Sequence, residues 1–228
     1  MAGYHAVIAQ VFFGMLPSMR HLIWAAILVA GITQAQQLGP PVSVGIVFDT
    51  SGSMGSKLRP AQQLAARFVR ANLQDEFCVV KFNDEANTTS ALTTDSGKIQ
   101  SDLTLIQPRG GSALWDAVYL ALNEVNKGRN PRKALLVISD GGDSSSHYTE
   151  DELANAVREA AVPIYSVAVL EPARLRPRPS QELSDPTRLR HLTEQSGGNY
   201  FAIASFDDIP AVVAKITAEL RAPAPAAR

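Results

Sequence analysis

Asp49, Ser51 and Ser53 stand at alternate positions in Asp49-Thr50-Ser51-Gly52-Ser53-Met54-Gly55, directly after the apolar run 42–48. Carboxylate and hydroxyl oxygens are hard donors, suited to Mg2+, Mn2+ or Ca2+ and poorly suited to soft metals. The three side chains can converge on one point if the loop curls, and Gly52 and Gly55 permit the curl. The same pattern also makes an ordinary strand-to-helix turn, so its meaning depends on what the chain brings beside it. A glycine loop, Arg109-Gly110-Gly111-Ser112, ends on a hydroxyl at the head of an apolar helix. Another, Asp140-Gly141-Gly142-Asp143, follows the apolar run 134–139 and repeats the arrangement at Asp49.

Other chemistries fit less well. An aspartate at a strand end beside a divalent ion resembles the nucleophile of aspartyl-phosphate hydrolases, whose second aspartate is the acid/base. Ser51 occupies the position two residues on and cannot do that work at neutral pH. Around Ser53 there is no G-x-S-x-G elbow, because Ser51 takes the first glycine position. The chain holds no G-x-x-x-x-G-K-[ST] phosphate loop. Cys78, the only cysteine, lies inside the apolar run 77–82 and reads as a buried, inert thiol. A net charge of -1 provides no field to draw nucleic acid or an anionic membrane. His147 has no second imidazole at ligand spacing, and Asp116 reads as a support for the loop. Asp143, Ser144 and His147 lie close enough to Asp140 to be candidates for contacting a partner, or for a polar loop rim.

The elements that must hold these residues alternate. A leader is expected at 1–35: Arg20 and His21, eleven apolar residues at 22–32, then the small-x-small site Thr33-Gln34-Ala35. That is the layout of a signal peptide, too short to span a bilayer, with an N-terminal anchor as the alternative. It implies a secreted, periplasmic or envelope protein with no membrane span after cleavage. A linker at 36–41 precedes a domain at 42–220, and the Pro/Ala-rich tail 221–228 has little to bury. Within the domain, strands are expected at 42–48, 77–82, 88–92, 134–139, 164–170 and 200–203. Helices are expected at 58–72, 96–105, from 114, after the Thr149/Glu152 capping box, from Asp185-Pro186 to Gly197-Gly198, and after Ser205 and Asp208. The segment 171–186, with Arg174, Arg176 and Arg178 among prolines, is long for a loop; it reads first as a solvated irregular loop, with a partner surface as the alternative.

Such alternation predicts an α/β fold, a doubly wound, mostly parallel six-stranded sheet with helices on both faces. Its expected order is 3-2-1-4-5-6, with 88–92 as a short antiparallel edge strand. Ligands of these sheets sit outside the carboxyl ends of the strands where the order reverses, here between the first and fourth strands. Asp49 and Asp140 fall at those two ends, and Ser112 enters the helix just before the fourth strand.

With these residues in place the chain resembles a von Willebrand factor type A domain, over about 42–220, and bacterial secreted members more than integrin inserts. Asp49, Ser51 and Ser53 match the D-x-S-x-S of that family's metal-ion-dependent adhesion site, and Asp140 matches its later aspartate. Ser112 stands where the family usually has threonine. The resemblance implies a Rossmann-like fold and a divalent cation, Mg2+ first with Mn2+ or Ca2+ as alternatives. It implies coordination by the hydroxyls of Ser51, Ser53 and Ser112, water-bridged coordination by Asp49 and Asp140, and one open position. A protein partner's Asp or Glu carboxylate is expected to fill that position, without catalysis. The competing readings are a scaffold of an envelope complex with a stabilising metal, and a metal-dependent phosphohydrolase.

Overall fold

The structure is a computed structural model and describes residues 39–104, 106–171 and 185–222. The leader expected at 1–35, the loop bearing Arg174, Arg176 and Arg178, and the tail residues 223–228 lie outside the described residues.

One sheet organises the unit that begins at Pro41. Its strands are β1 (Val42–Asp49), β2 (Glu76–Phe82), β3 (Ala86–Thr93), β4 (Arg132–Ser139), β5 (Ile164–Val169) and β6 (Tyr200–Ile203). They lie in the order β3-β2-β1-β4-β5-β6, as expected. All neighbouring pairs are parallel except β2 with β3. Every residue of β1 is buried, because helices cover both of its faces, and that is why the strand is written as a continuous apolar run.

The helices are α1 (Leu58–Ala71), α2 (Ser96–Thr104), α3 (Leu114–Asn126), α4 (Glu150–Ala160), α5 (Pro186–Ser196) and α6 (Ile209–Arg221). Alternation along β1 sorts the two cores. Val44, Ile46 and Phe48 face α1, α2 and α6 through Phe68, Ile99 and Ile216. Val47 faces the other way, into the cluster with Leu114 and Val118 of α3, Leu153 of α4 and Leu189 of α5. Gly45 lies under α3, where an added methyl would stand 2.6 Å from Leu135 Cδ2. Cys78 is buried, and burial pushes its thiol up to about 12, consistent with an inert sulfur.

Local signals held at most ends. Thr149 accepts from the Glu152 amide while the Glu152 carboxylate reaches back, a complete capping box for α4. Pro186 sits in the first turn of α5 and Gly197 closes that helix in the left-handed conformation. Two expectations need correction. The edge strand is longer than 88–92: β3 runs from Ala86 to Thr93, because a tight turn with Asn83 N–H donating to Glu85 O folds it straight back on β2. Ser205 and Asp208 form their capping box around a short 3-10 turn, Phe206–Asp208, and α6 begins only at Ile209.

Candidate metal centre

The loops at the carboxyl ends of β1 and β4 are held by backbone bonds before any side chain is considered. Thr50 N–H and its hydroxyl both donate to Phe82 O, at 2.8 and 2.7 Å. Gly52 N–H donates to Gly110 O and Arg109 N–H to Thr50 O, each at 3.0 Å, which clamps the D-x-S-x-S loop to the loop carrying Ser112. Gly110 has φ +72°, where glycine is favoured, and a methyl there would collide with the Asp84 carboxylate. That carboxylate accepts Gly111 N–H at 2.6 Å. Ser144 and Ser145 N–H groups both donate to Ser112 O, at 2.8 and 2.9 Å, and draw the loop after β4 onto the same place.

Asp49, Ser51, Ser112 and Asp140 are buried, whereas Ser53 is half-buried. Asp49 accepts Ser51 N–H at 2.8 Å on one oxygen and the Ser139 hydroxyl at 2.5 Å on the other. The Ser51 and Ser53 hydroxyls are 3.1 Å apart. Ser139 Oγ in turn accepts Gly141 N–H at 2.9 Å, which ties the Asp49 carboxylate to the start of the β4 loop. Ser112 donates to Gly142 O at 2.6 Å. A methyl placed on Gly142 would lie 3.5 Å from Asp140 Oδ1 and 4.0 Å from Ser112 Oγ, so these two oxygens border one space. Asp140 Oδ1 accepts Gly142 N–H at 3.2 Å, and Asp140 Oδ2 takes the ammonium of Lys57.

Burial, and after it the negative charge of Asp140, push the Asp49 carboxyl up to about 6, against the hydrogen bonds from Ser139 and Ser51. Of these two buried carboxylates only Asp140 is paired with an ammonium, that of Lys57, leaving an excess negative charge that a cation would relieve. Among the described residues no group of three or more His, Cys, Asp or Glu could hold a metal, so cation chemistry here depends on serine oxygens joining the two aspartates. Such an all-oxygen donor set fits a hard divalent ion.

The neighbouring candidates divide. Asp143 turns its carboxylate inward, accepting Leu114 N–H at 2.9 Å and the Ser146 hydroxyl at 2.5 Å. Burial raises its pKa against those bonds. Ser144 Oγ accepts Ser112 N–H at 3.1 Å while Ser144 remains exposed. Asp116 supports the loop as expected: it accepts the N–H groups of His147 and Tyr148 at 2.9 and 3.0 Å. His147 points outward and pairs with Asp116 at 2.8 Å. Beside the site a cavity of about 600 Å³ is lined by Thr50, Asn83, Glu85, Ile106, Gln107 and Arg109 among others.

Ser139 and Lys57 belong to this network without announcing it in the sequence. Ser139 reads there only as the end of a strand. Lysine is ordinarily exposed, which hides the part played by Lys57. The signal for Lys57 was its place at i, i+4, i+7 and i+8 with Ala61, Leu64 and Ala65, on the buried stripe of α1.

The model of the von Willebrand factor type A domain matches residues 44–142. An uncharacterized protein from Borreliella burgdorferi is 23% identical over 187 residues, 73% of this chain and 55% of that protein. The chain therefore spans only about half the length of that curated relative. The crystal structure of the conserved hypothetical protein BatB from Bacteroides thetaiotaomicron superposes with a TM-score of 0.64 at 22% identity, covering 78% of this chain and 98% of that one. Proximal thread matrix protein 1 from the mussel byssus, solved with a zinc-occupied MIDAS motif, gives 0.63 at 17% identity, over 80% of this chain and 46% of that one. At these identities the likeness of the solved structures is one of fold. The similarity to the von Willebrand factor type A domain model thus covers residues 44–142, and the six-stranded sheet that continues from β4 to β6 shares the Rossmann-like fold of the BatB structure.

Proposed function

We propose that this chain is a divalent-cation-dependent protein-binding module without catalysis of its own. The observation that carries the reading is the convergence of Asp49, Ser51, Ser53, Ser112 and Asp140 from three separate loops at the carboxyl ends of β1 and β4. On this reading the hydroxyls of Ser51, Ser53 and Ser112 hold the ion, with Mg2+ the first candidate. Asp49 and Asp140 set the charge and orient water, and a partner's Asp or Glu occupies the remaining position. The zinc-occupied motif of the mussel protein supports a cation at this place in the fold. The adjacent cavity gives room for the partner segment that flanks its acidic residue. His147, exposed on the rim, is the best placed of the outlying candidates to touch that partner. The leader-like 1–35 supports export to the envelope or beyond.

The test is calorimetric titration of the full chain with Mg2+, Mn2+ and Ca2+ beside Asp49→Ala. The expected result is one site that the variant loses, with the circular dichroism of the variant unchanged. No binding by the parent protein, in the presence and absence of a glutamate-bearing peptide, would overturn the reading.

A further inference from the structure

Lys57 is only 5% exposed, and its ammonium ends on Asp140 Oδ2. Burying a lysine is costly unless a carboxylate compensates it, and here the carboxylate is one of the two that belong to the candidate metal centre. The side chain reaches that position from the last residue of the 3-10 turn Gly52–Lys57, the same turn that carries Ser53. Thus one short segment delivers both a hydroxyl donor and a fixed positive charge to the site. No other described lysine or arginine is paired with Asp49 or Asp140.

The charges then add simply. Asp49 and Asp140 supply two negative charges and Lys57 one positive, so the protein part of the site is negative by one. A divalent ion makes the loaded centre positive by one; without Lys57 it would be neutral. Coulomb repulsion between the ammonium and a cation lowers metal affinity, while the surplus positive charge attracts an anionic ligand in a site shielded from water. These two consequences have opposite signs, which separates them from any purely structural role of the lysine.

We propose that Lys57 is a built-in counter-cation: it weakens metal binding and leaves the loaded centre cationic, so that the site selects an anionic side chain from the partner. This inference rests on the reading of the site as a cation-dependent protein-binding centre.

The experiment compares the full-length parent protein, Lys57→Met and Lys57→Arg in two calorimetric titrations. The first adds Mn2+ or Mg2+; the second adds a glutamate peptide and its glutamine counterpart to protein saturated with metal. For Lys57→Met, the metal is expected to bind about tenfold more tightly and the glutamate peptide about tenfold more weakly, with little change for the glutamine peptide. Lys57→Arg, which keeps the charge, should stay near the parent in both. Lys57→Gln retains a donor for Asp140 and should show the same two shifts as Lys57→Met if the methionine variant fails to fold. Weaker or unchanged metal binding in a folded neutral variant, or a preserved preference for glutamate, would overturn the role of Lys57. Absence of metal binding in the parent protein would instead overturn the underlying reading, so the two failures are distinguishable.

Discussion

At the scale of single residues, the rim of the site contains a titrating pair that is separate from the candidate metal donors. His147 Nδ1 lies 2.8 Å from Asp116 Oδ2 at an exposed position. The hydrogen bond to Asp116, and then that group's negative charge, raise the imidazole above its ordinary 6.5. For Asp116, burial pushes its carboxyl up, but the N–H of Tyr148 and the ring and N–H of His147 outweigh it and hold the carboxyl below 3.8. The signs follow from linkage. The histidine's contribution to stability is fully present below 6.5 and is lost as pH rises through its raised folded value. The aspartate's is present above 3.8 and lost as pH falls through its lowered one. Between those limits the pair braces the loop that follows Asp140. In an NMR titration the His147 imidazole should change charge above 6.5 in the parent and return toward that value in Asp116→Asn. An unshifted imidazole in the parent would show that the pair does not form in solution.

At the scale of elements, the loops are set by a few backbone conformations that glycine alone adopts readily. Gly110, at φ +72°, joins the Asp49 loop to the Ser112 loop through its carbonyl, which accepts Gly52 N–H. Gly110→Ala forces a left-handed backbone on alanine and drives its methyl into Asp84. A loss of about 1–3 kcal/mol is expected from urea denaturation, together with weaker metal binding. Gly55→Ala, with nothing within 4 Å, should stay within about 0.5 kcal/mol of the parent. Equal stability of the two variants would refute this account of the loop. The same scale explains how much was legible beforehand. β1, β2, β4 and β5 are mostly or wholly buried, so each announced itself as an apolar run. β3 did not: only Ser90 of its eight residues is buried, and its length comes from pairing with β2 rather than from its own pattern. The placement of Asp49, Ser112 and Asp140 was legible because strand order and chain direction fix which ends meet. The bonds of Ser139, Asp84 and Lys57 were not, since each depends on where a neighbouring loop lands.

At the scale of the whole domain, the parallel strands separate two polar networks. The candidate metal centre occupies one end of β1, and Asp75 occupies the other. Asp75 is buried and accepts Val42 N–H at 2.9 Å, Arg221 Nη1 at 3.0 Å and Arg221 Nη2 at 2.7 Å. Arg221 also donates to Asn72 Oδ1 at 2.8 Å, and Asn72 donates to Thr217 Oγ1 at 3.0 Å. The end of α6 is thereby fastened to the end of α1 and the start of β1 by a two-pronged ion pair. Arg221→Met would leave Asp75 buried without its cation, at a cost of about 3–5 kcal/mol. The two ends of β1 are roughly 25 Å apart at about 3.3 Å per residue, beyond the range over which substitutions usually couple. Urea denaturation of this variant should therefore show a large loss of stability, while Mn2+ affinity, measured where the variant is still folded, should match the parent. A shift in that affinity would mean that α6 carries strain from its anchored end to the metal loops. Unchanged stability would show that solvent already compensates Asp75 and that the ion pair fastens nothing.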